Sequence, residues 1–69
     1  MINKQAVISS NISSVGWDNG VMEVTFTNGS TYQAENVPET EFKNLIAAKS
    51  VGKYFNANLK QAFVFKKVG

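Results

Sequence analysis

The residues best suited to chemistry lie in the last third of the chain, and the chemistry they suggest is the binding of a polyanion. Residues 50–67 contain four aromatic residues, four lysines and no acid. Lysines pair with phosphates in a salt-dependent way, and exposed rings stack on bases. The candidate nucleic-acid-binding residues are Tyr32, Lys53, Tyr54, Asn56, Lys60, Lys66 and Lys67.

The charge of the chain is unevenly distributed. Residues 1–48 hold two lysines and five acids, whereas residues 49–69 hold five lysines and no acid. This asymmetry is found in nucleic-acid-binding proteins, and equally in small domains with a solvated basic face. The chain has no arginine, the residue favoured for bidentate and stacking contacts. Weak, low-selectivity binding of RNA or another nucleic acid is therefore the alternative function.

Catalysis has little support in the sequence. The chain has no cysteine and no histidine, which excludes a thiolate nucleophile and the usual zinc clusters. Glu39 and Glu41 are two residues apart on a predicted helix, so they point away from each other. The pairs Ser9-Ser10 and Ser13-Ser14 have no histidine to activate them. We therefore expect a protein that is not an enzyme and that uses no cofactor and no metal.

The leading function is a small binding module with a protein partner. A small sheet with a strand at its edge can bind a partner's strand, and we expect an unidentified bacterial or phage protein in this role. No apolar run approaches the roughly 20 residues that span a bilayer, and the N-terminus lacks the apolar segment of a secretory signal. We expect a cytoplasmic protein, not bound to membranes, that is a monomer or a weak homodimer.

Two turns organise the first half of the chain. Asp18–Gly20 and Thr27–Gly29 both end in Asn-Gly, the strongest short signal for a hairpin. Between them, Met22, Val24 and Phe26 alternate with less apolar residues, which indicates a half-buried strand.

The apolar pattern also predicts the register of both hairpins. A two-residue loop in the first turn places Trp17 opposite Met22 and Val15 opposite Val24. The same loop in the second turn would turn polar side chains toward the core, because a one-residue slip reverses every side chain. We therefore predict a three-residue loop or a bulge, with Tyr32 opposite Val24.

Two helices are predicted after the third strand. Pro38 suits the first turn of a helix, Glu39 and Glu41 suit its positive end, and Ser50 suits the N-cap of the second helix. The apolar residues are Phe42, Leu45 and Ile46 in the first helix and Val51, Tyr54, Phe55, Leu59 and Ala62 in the second.

The lysines of the second helix are expected on its polar side. Lys53 and Lys60 are seven residues apart, so they should project from one face, with Asn56 between them. Of Lys66 and Lys67, which alternate along the final stretch "FVFKKV", only one can join that face.

The predicted fold is one α+β domain over residues 1–69. It has an antiparallel three-strand meander, two consecutive helices packed on one face, and a C-terminal edge strand. The predicted core consists of Trp17, Val24, Phe26, Phe42, Leu45, Ile46, Phe55 and Leu59, and Phe63 and Phe65 are further core candidates.

Three stretches resemble a known family. "VISSNISSVGWD", "YQAENVP" and "SVGKYFNANLKQAFVF" look like the KTSC domain, named for the C-terminus of some lysyl-tRNA synthetases, and the resemblance covers roughly residues 6–68. Its most specific parts are Ser9-Ser10, Gly16-Trp17-Asp18 in place of Gly-Tyr-Asp, Val37-Pro38, and the segment from Ser50 to Asn56.

The resemblance implies a free-standing small bacterial or phage protein, and the synthetase fusions suggest RNA as a ligand. The family's central Tyr-x-Tyr appears here as Tyr32-Gln33-Ala34. If that tyrosine pair stacks on bases, this chain has lost half of the platform.

Overall fold

A β-hairpin with a two-residue turn begins the central part of the sheet. In the computed structural model, which describes residues 2–69, Asn19 and Gly20 both have positive φ angles, of 50° and 86°. This is the geometry that a tight Asn-Gly hairpin requires. The pairs Trp17–Met22 and Val15–Val24 lie opposite each other, which confirms the predicted register.

The second hairpin has the predicted three-residue loop. The amide of Phe26 donates to the carbonyl of Ser30 at 2.8 Å, and Gly29 has a φ of 92°. Tyr32 lies opposite Val24, so it shares the core face of the sheet. A tight two-residue turn would instead have placed Gln33 in that position.

The complete sheet has five antiparallel strands in the order β1-β2-β3-β4-β5. The helical segments follow β4, and β5 pairs with β4 at the sheet edge. The elements are β1 (Lys4–Ala6), β2 (Ile12–Asp18), β3 (Val21–Phe26), β4 (Thr31–Ala34), α1 (Glu39–Ala47), α2 (Val51–Tyr54), a π-helical segment (Phe55–Leu59) and β5 (Lys66–Lys67). The predicted α+β class with two helices and a C-terminal edge strand is confirmed.

Strand β1 was not predicted, and it extends the three-strand meander on the other edge. It has only three residues, all of them exposed, and its sequence Lys-Gln-Ala carries no apolar alternation. Lys4 pairs with Gly16 of β2. A Cβ at Gly16 would lie 2.6 Å from Ile2 Cγ2 and 2.7 Å from the Asn3 carbonyl oxygen, so this glycine permits the N-terminal segment to cross β2 closely.

Both helices begin near the predicted residues. Pro38 directly precedes α1, and Glu39 and Glu41 occupy its first turn. Ser50 is the N-cap of α2, because its hydroxyl accepts the Lys53 amide at 3.3 Å. Both observations agree with the sequence signals for helix starts.

The second helix is not α-helical throughout. After Tyr54 the turn widens, and the Lys60 amide donates to the Phe55 carbonyl five residues back at 2.8 Å. Because a π-helical turn closes its hydrogen bond over five residues instead of four, the residues that follow it lie at different positions around the axis than α-helical spacing predicts. The predicted apolar stripe consequently does not extend to Ala62, which is exposed, and half-buried Phe63 packs on the core instead.

The core lies between the helical segments and one face of the sheet. None of the eight predicted core residues is exposed: Val24, Leu45, Phe55 and Leu59 are buried, and Trp17, Phe26, Phe42 and Ile46 are half-buried. The indole N–H of Trp17 donates to the Val37 carbonyl at 2.7 Å, which satisfies its polar edge.

Within residues 2–69, no helix is both long and apolar enough to cross a bilayer.

Candidate functional site

Only two of the predicted site residues, Tyr32 and Lys60, line a common groove on the surface. This aromatic groove has a volume of about 410 Å³ and lies where β3, β4 and the helical segment meet. Its lining consists of Phe26, Asn28, Ser30, Tyr32, Phe55, Lys60 and Phe65.

Four aromatic rings form a continuous series in the groove. Phe26 contacts Tyr32 and Phe55 with centroid separations of 5.6 Å, at interplanar angles of 86° and 78°. Phe55 contacts Phe65 at 5.0 Å and 66°. Phe55 is buried and the other three rings are half-buried. The floor of the groove is therefore Phe55, and the walls are partly accessible edges and faces of its neighbours.

The groove carries positive charge and no negative charge. Lys60 is its charged lining residue, and none of the lining residues is an acid. Lys67 lies opposite Tyr32 in the β4–β5 pair, so the two side chains are on the same face of the sheet. Asn28 Oδ1 accepts the Ser30 amide at 2.9 Å, which fixes the loop at the rim.

Two local features of the sequence create this geometry. The three-residue loop of the second hairpin sets the register that turns Tyr32 toward the helical face. The π-helical turn shifts the residues that follow it, and Lys60, the first residue after that segment, lines the groove. Lys53 and Asn56 are exposed and are not among the groove residues. The α-helical spacing on which their alignment with Lys60 was predicted is interrupted.

Tyr54 is half-buried and packs against the core. Its hydroxyl donates to Glu41 Oε1 at 3.1 Å, which connects α2 to α1. Burial and, secondarily, the Glu41 carboxylate raise the pKa of Tyr54 above its ordinary value. The phenol is therefore kept protonated and bonded to α1.

Lys66 belongs to a different surface. It pairs with Gln33 across the β4–β5 ladder and lines a second groove of about 490 Å³ together with Glu35 and exposed Val64 and Val68. This groove contains charges of both signs. The predicted lysines thus divide among three surfaces.

The uncovered face of the sheet carries a polar cluster around Glu23. Lys4 Nζ lies 2.9 Å from Glu23 Oε2, and Gln33 Nε2 donates to Glu23 Oε1 at 2.6 Å. The hydrogen bonds from Gln33 and then Lys4 lower the pKa of Glu23, although burial opposes them. This cluster joins β1, β3 and β4 by side chains.

Ser9 and Gly52, which belong to two different motifs of the sequence, lie close together in the structure. Ser9 Oγ accepts the amides of Asn11 and Ile12, each at 3.3 Å. A Cβ at Gly52 would lie 3.0 Å from that oxygen, so Gly52 lets the Ser9 turn approach the start of α2. Ser9 therefore has a structural role.

Within residues 2–69, no group of three or more Asp or Glu side chains is placed to hold a metal ion.

Sequence reasoning assigned Phe26 and Phe65 to the core and Asn28 to a turn, and it named neither Asn28 nor Ser30 as a site residue. The two phenylalanines pack on the core and also line the groove. The signal that could have identified them is the register of the second hairpin, because it places Phe26 and Tyr32 on one face.

Fold and sequence comparisons agree on the class of this small α+β domain. The chain belongs to the KTSC domain family, whose family model matches residues 8–63. A solved KTSC domain protein from Yersinia pestis is 38% identical, with a TM-score of 0.91 over 100% of both chains.

Two further relatives are bacterial proteins. One, from Tsukamurella paurometabola, is 38% identical over 61 residues, which cover 86% of this chain and 91% of the relative. The other, from Stutzerimonas stutzeri, is 34% identical over 61 residues, which cover 86% of each chain.

Proposed function

We propose that this protein is a non-catalytic binding module that docks on a bacterial or phage protein in the cytoplasm through the aromatic groove. The observation that carries the proposal is the groove itself: four aromatic rings, one lysine and no acid around a volume of about 410 Å³. Concave, mostly apolar sites with a few polar groups are typical of ligand binding.

The chemistry of the lining supports binding over catalysis. The groove residues include no carboxylate, thiol or imidazole, so histidine, the commonest general base, and the carboxylates are missing from the lining. Ser30 and Asn28 are instead part of the hairpin loop, where the Ser30 carbonyl accepts the Phe26 amide and Asn28 Oδ1 accepts the Ser30 amide. What the lining offers is aromatic surface, and aromatic residues dominate the energetics of protein interfaces.

A pull-down from bacterial lysate, with and without nuclease, tests this function. The bait proteins are the wild type, Lys60→Glu and Lys53→Glu. Both lysines are exposed, Lys53 in α2 and Lys60 directly after the π-helical segment, but only Lys60 lines the groove. We expect a protein that is captured by the wild type and Lys53→Glu after nuclease treatment, and captured poorly by Lys60→Glu.

Two results would count against the proposal. Equal capture by all three baits would mean that the groove is not the docking surface. Loss of every captured protein after nuclease treatment would mean that nucleic acid mediates the capture.

Nucleic-acid binding is the second candidate function. It is favoured by the five lysines and absence of acids in residues 49–69, and by the position of Tyr32 and Lys60 in one groove. A base stacked on a wall ring and a phosphate at Lys60 would use both residues. The dispersion of the other lysines over separate surfaces limits how many phosphates one strand could meet.

A further inference from the structure

We infer that the occupant of the aromatic groove is an acidic peptide segment of the partner. An aromatic or large aliphatic side chain of this peptide lies in the groove, and the carboxylate of a neighbouring acidic residue pairs with Lys60. This inference rests on the proposed protein-binding function and names the chemistry of the partner.

The arrangement of the rings favours a peptide anchor over a base. Each ring of the series Tyr32–Phe26–Phe55–Phe65 meets its neighbour edge to face, at 66° to 86°. Phe55 is only 4% exposed, and the other rings are half-buried. A further aromatic or aliphatic side chain can continue such packing. Base stacking instead needs a ring with a widely exposed face.

The charge around the groove favours an acidic partner. Lys60 stands beside the aromatic lining, no acid shares that lining, and Lys67 lies opposite Tyr32 on the same face. A carboxylate beside the anchor would form an exposed ion pair with Lys60, whose contribution to binding is modest. A basic peptide would meet only like charge there. The groove is therefore complementary in charge to an acidic partner.

The size of the groove limits the peptide to a short contact. About 410 Å³ is near the lower end of the range of roughly 300 to 1,000 Å³ for ligand pockets. One anchor side chain and the backbone next to it fit this space. We therefore place the acidic residues within one or two positions of the anchor.

An NMR titration of the full chain with short capped peptides tests the inference. The probes are a peptide containing Phe-Asp-Glu, its uncharged analogue containing Phe-Asn-Gln, the same pair with Leu in place of Phe, and a single-stranded oligonucleotide. We expect saturable shifts at Phe26, Tyr32, Lys60 and Phe65 with the acidic peptides. The uncharged analogues should bind about fivefold more weakly, the size of one good exposed ion pair.

Two matched variants assign the charge effect. Lys60→Gln should lose most of the preference for the acidic peptides, with only a small remainder from Lys67 on the same face, whereas Lys53→Gln should retain the fivefold difference. Both side chains are exposed, so both variants should keep the wild-type pattern of amide shifts outside the groove. An undiminished fivefold preference for acid in Lys60→Gln overturns the inference.

The remaining outcomes separate the inference from the proposed function. If acidic and uncharged peptides bind the groove equally, the binding function stands and the acidic partner is wrong. If no peptide binds and the oligonucleotide shifts the groove residues, the protein-binding function and the inference are both overturned. If no probe shifts these residues, the groove is not a binding surface and both fail.

Discussion

The ring of Phe55 lies between those of Phe26 and Phe65, at centroid separations of 5.6 and 5.0 Å, and is 4% exposed. Truncation to alanine should cost about 3–5 kcal/mol of unfolding free energy. Small domains have little more than this to lose. We therefore expect Phe55→Ala to be largely unfolded in a urea titration followed by circular dichroism.

Val64→Ala is the matched control for this experiment, because Val64 is 75% exposed and its truncation should leave the midpoint nearly unchanged. A folded Phe55→Ala variant with a midpoint close to that of the wild type would contradict the position of the ring in the core.

Gly16 is a second position where a single substitution should change the local structure, because the site has no room for a Cβ. Replacing a strand glycine by alanine ordinarily stabilises a protein by about 0.4–1 kcal/mol. Here the new Cβ would lie 2.7 Å from the Asn3 carbonyl oxygen and 2.6 Å from Ile2 Cγ2, and such overpacking costs about 1–3 kcal/mol. The clash should prevail, so Gly16→Ala should lower the thermal midpoint and increase amide exchange in β1. A higher midpoint with β1 unchanged would show that the N-terminal segment does not cross at this site.

At the scale of the elements, Glu23 connects three strands and should make them sensitive to acid. Its pKa in the folded protein lies below the ordinary value of 4.5, so the folded state holds the ionised form more firmly than the unfolded chain does. The resulting stability is present above that ordinary value and is lost as the pH falls through the lower, folded-state pKa.

We therefore expect Glu23→Gln to lose less unfolding free energy than the wild type between about pH 7 and about pH 3. Urea titrations at the two pH values measure the difference. Glu35→Gln, which alters an exposed carboxylate, should behave like the wild type. An identical acid dependence in Glu23→Gln and the wild type would mean that the Lys4–Glu23–Gln33 cluster does not persist in solution.

The two hairpins show which elements the sequence can predict. Asn-Gly turns and a strict apolar alternation fix the pairing of Val24 with both Val15 and Tyr32, because a slip of one residue would expose the core. Strand β1 has neither signal. Its three exposed residues form a strand only because β2 offers an edge, which is a tertiary effect.

The π-helical turn was also beyond sequence reasoning. Val51, Phe55 and Leu59 have the spacing of an α-helix, so this pattern does not reveal the widened turn. The change of spacing is seen only further along the chain, where Phe63 packs on the core and Ala62 is exposed. Its consequence is seen in the candidate site, since Lys60 lines the aromatic groove while Lys53 does not. Of the seven predicted site residues, only Tyr32 and Lys60 line this groove, so the sequence predicted neither the full lining nor its arrangement.

At the scale of the whole molecule, the lysines set a limit on nucleic-acid binding. Lys60 lines the groove and Lys67 lies opposite Tyr32 on the same face, so one strand can meet about two lysines there, which gives a slope of about −1.4 in log affinity against log salt for single strands. Any binding should be micromolar or weaker at physiological salt. An NMR titration with a short single-stranded oligonucleotide at about 50 mM salt, repeated at higher salt, measures this slope.

The double variant Lys60→Glu, Lys67→Glu should abolish that binding and keep the fold, because both side chains are exposed. Tight binding with a much steeper slope, or binding that survives in the double variant, would show that a surface other than these lysines recognises nucleic acid.

The central claim is that the aromatic groove docks a protein, and site-specific photo-crosslinking tests it most directly. A photoreactive phenylalanine analogue replaces Tyr32 in the groove, and in a control chain it replaces Lys43, an exposed residue of α1. After irradiation in bacterial lysate, we predict a discrete protein adduct from position 32 that resists nuclease and is absent from position 43. An adduct that nuclease removes, equal adducts from both positions, or no adduct from position 32 would contradict the account.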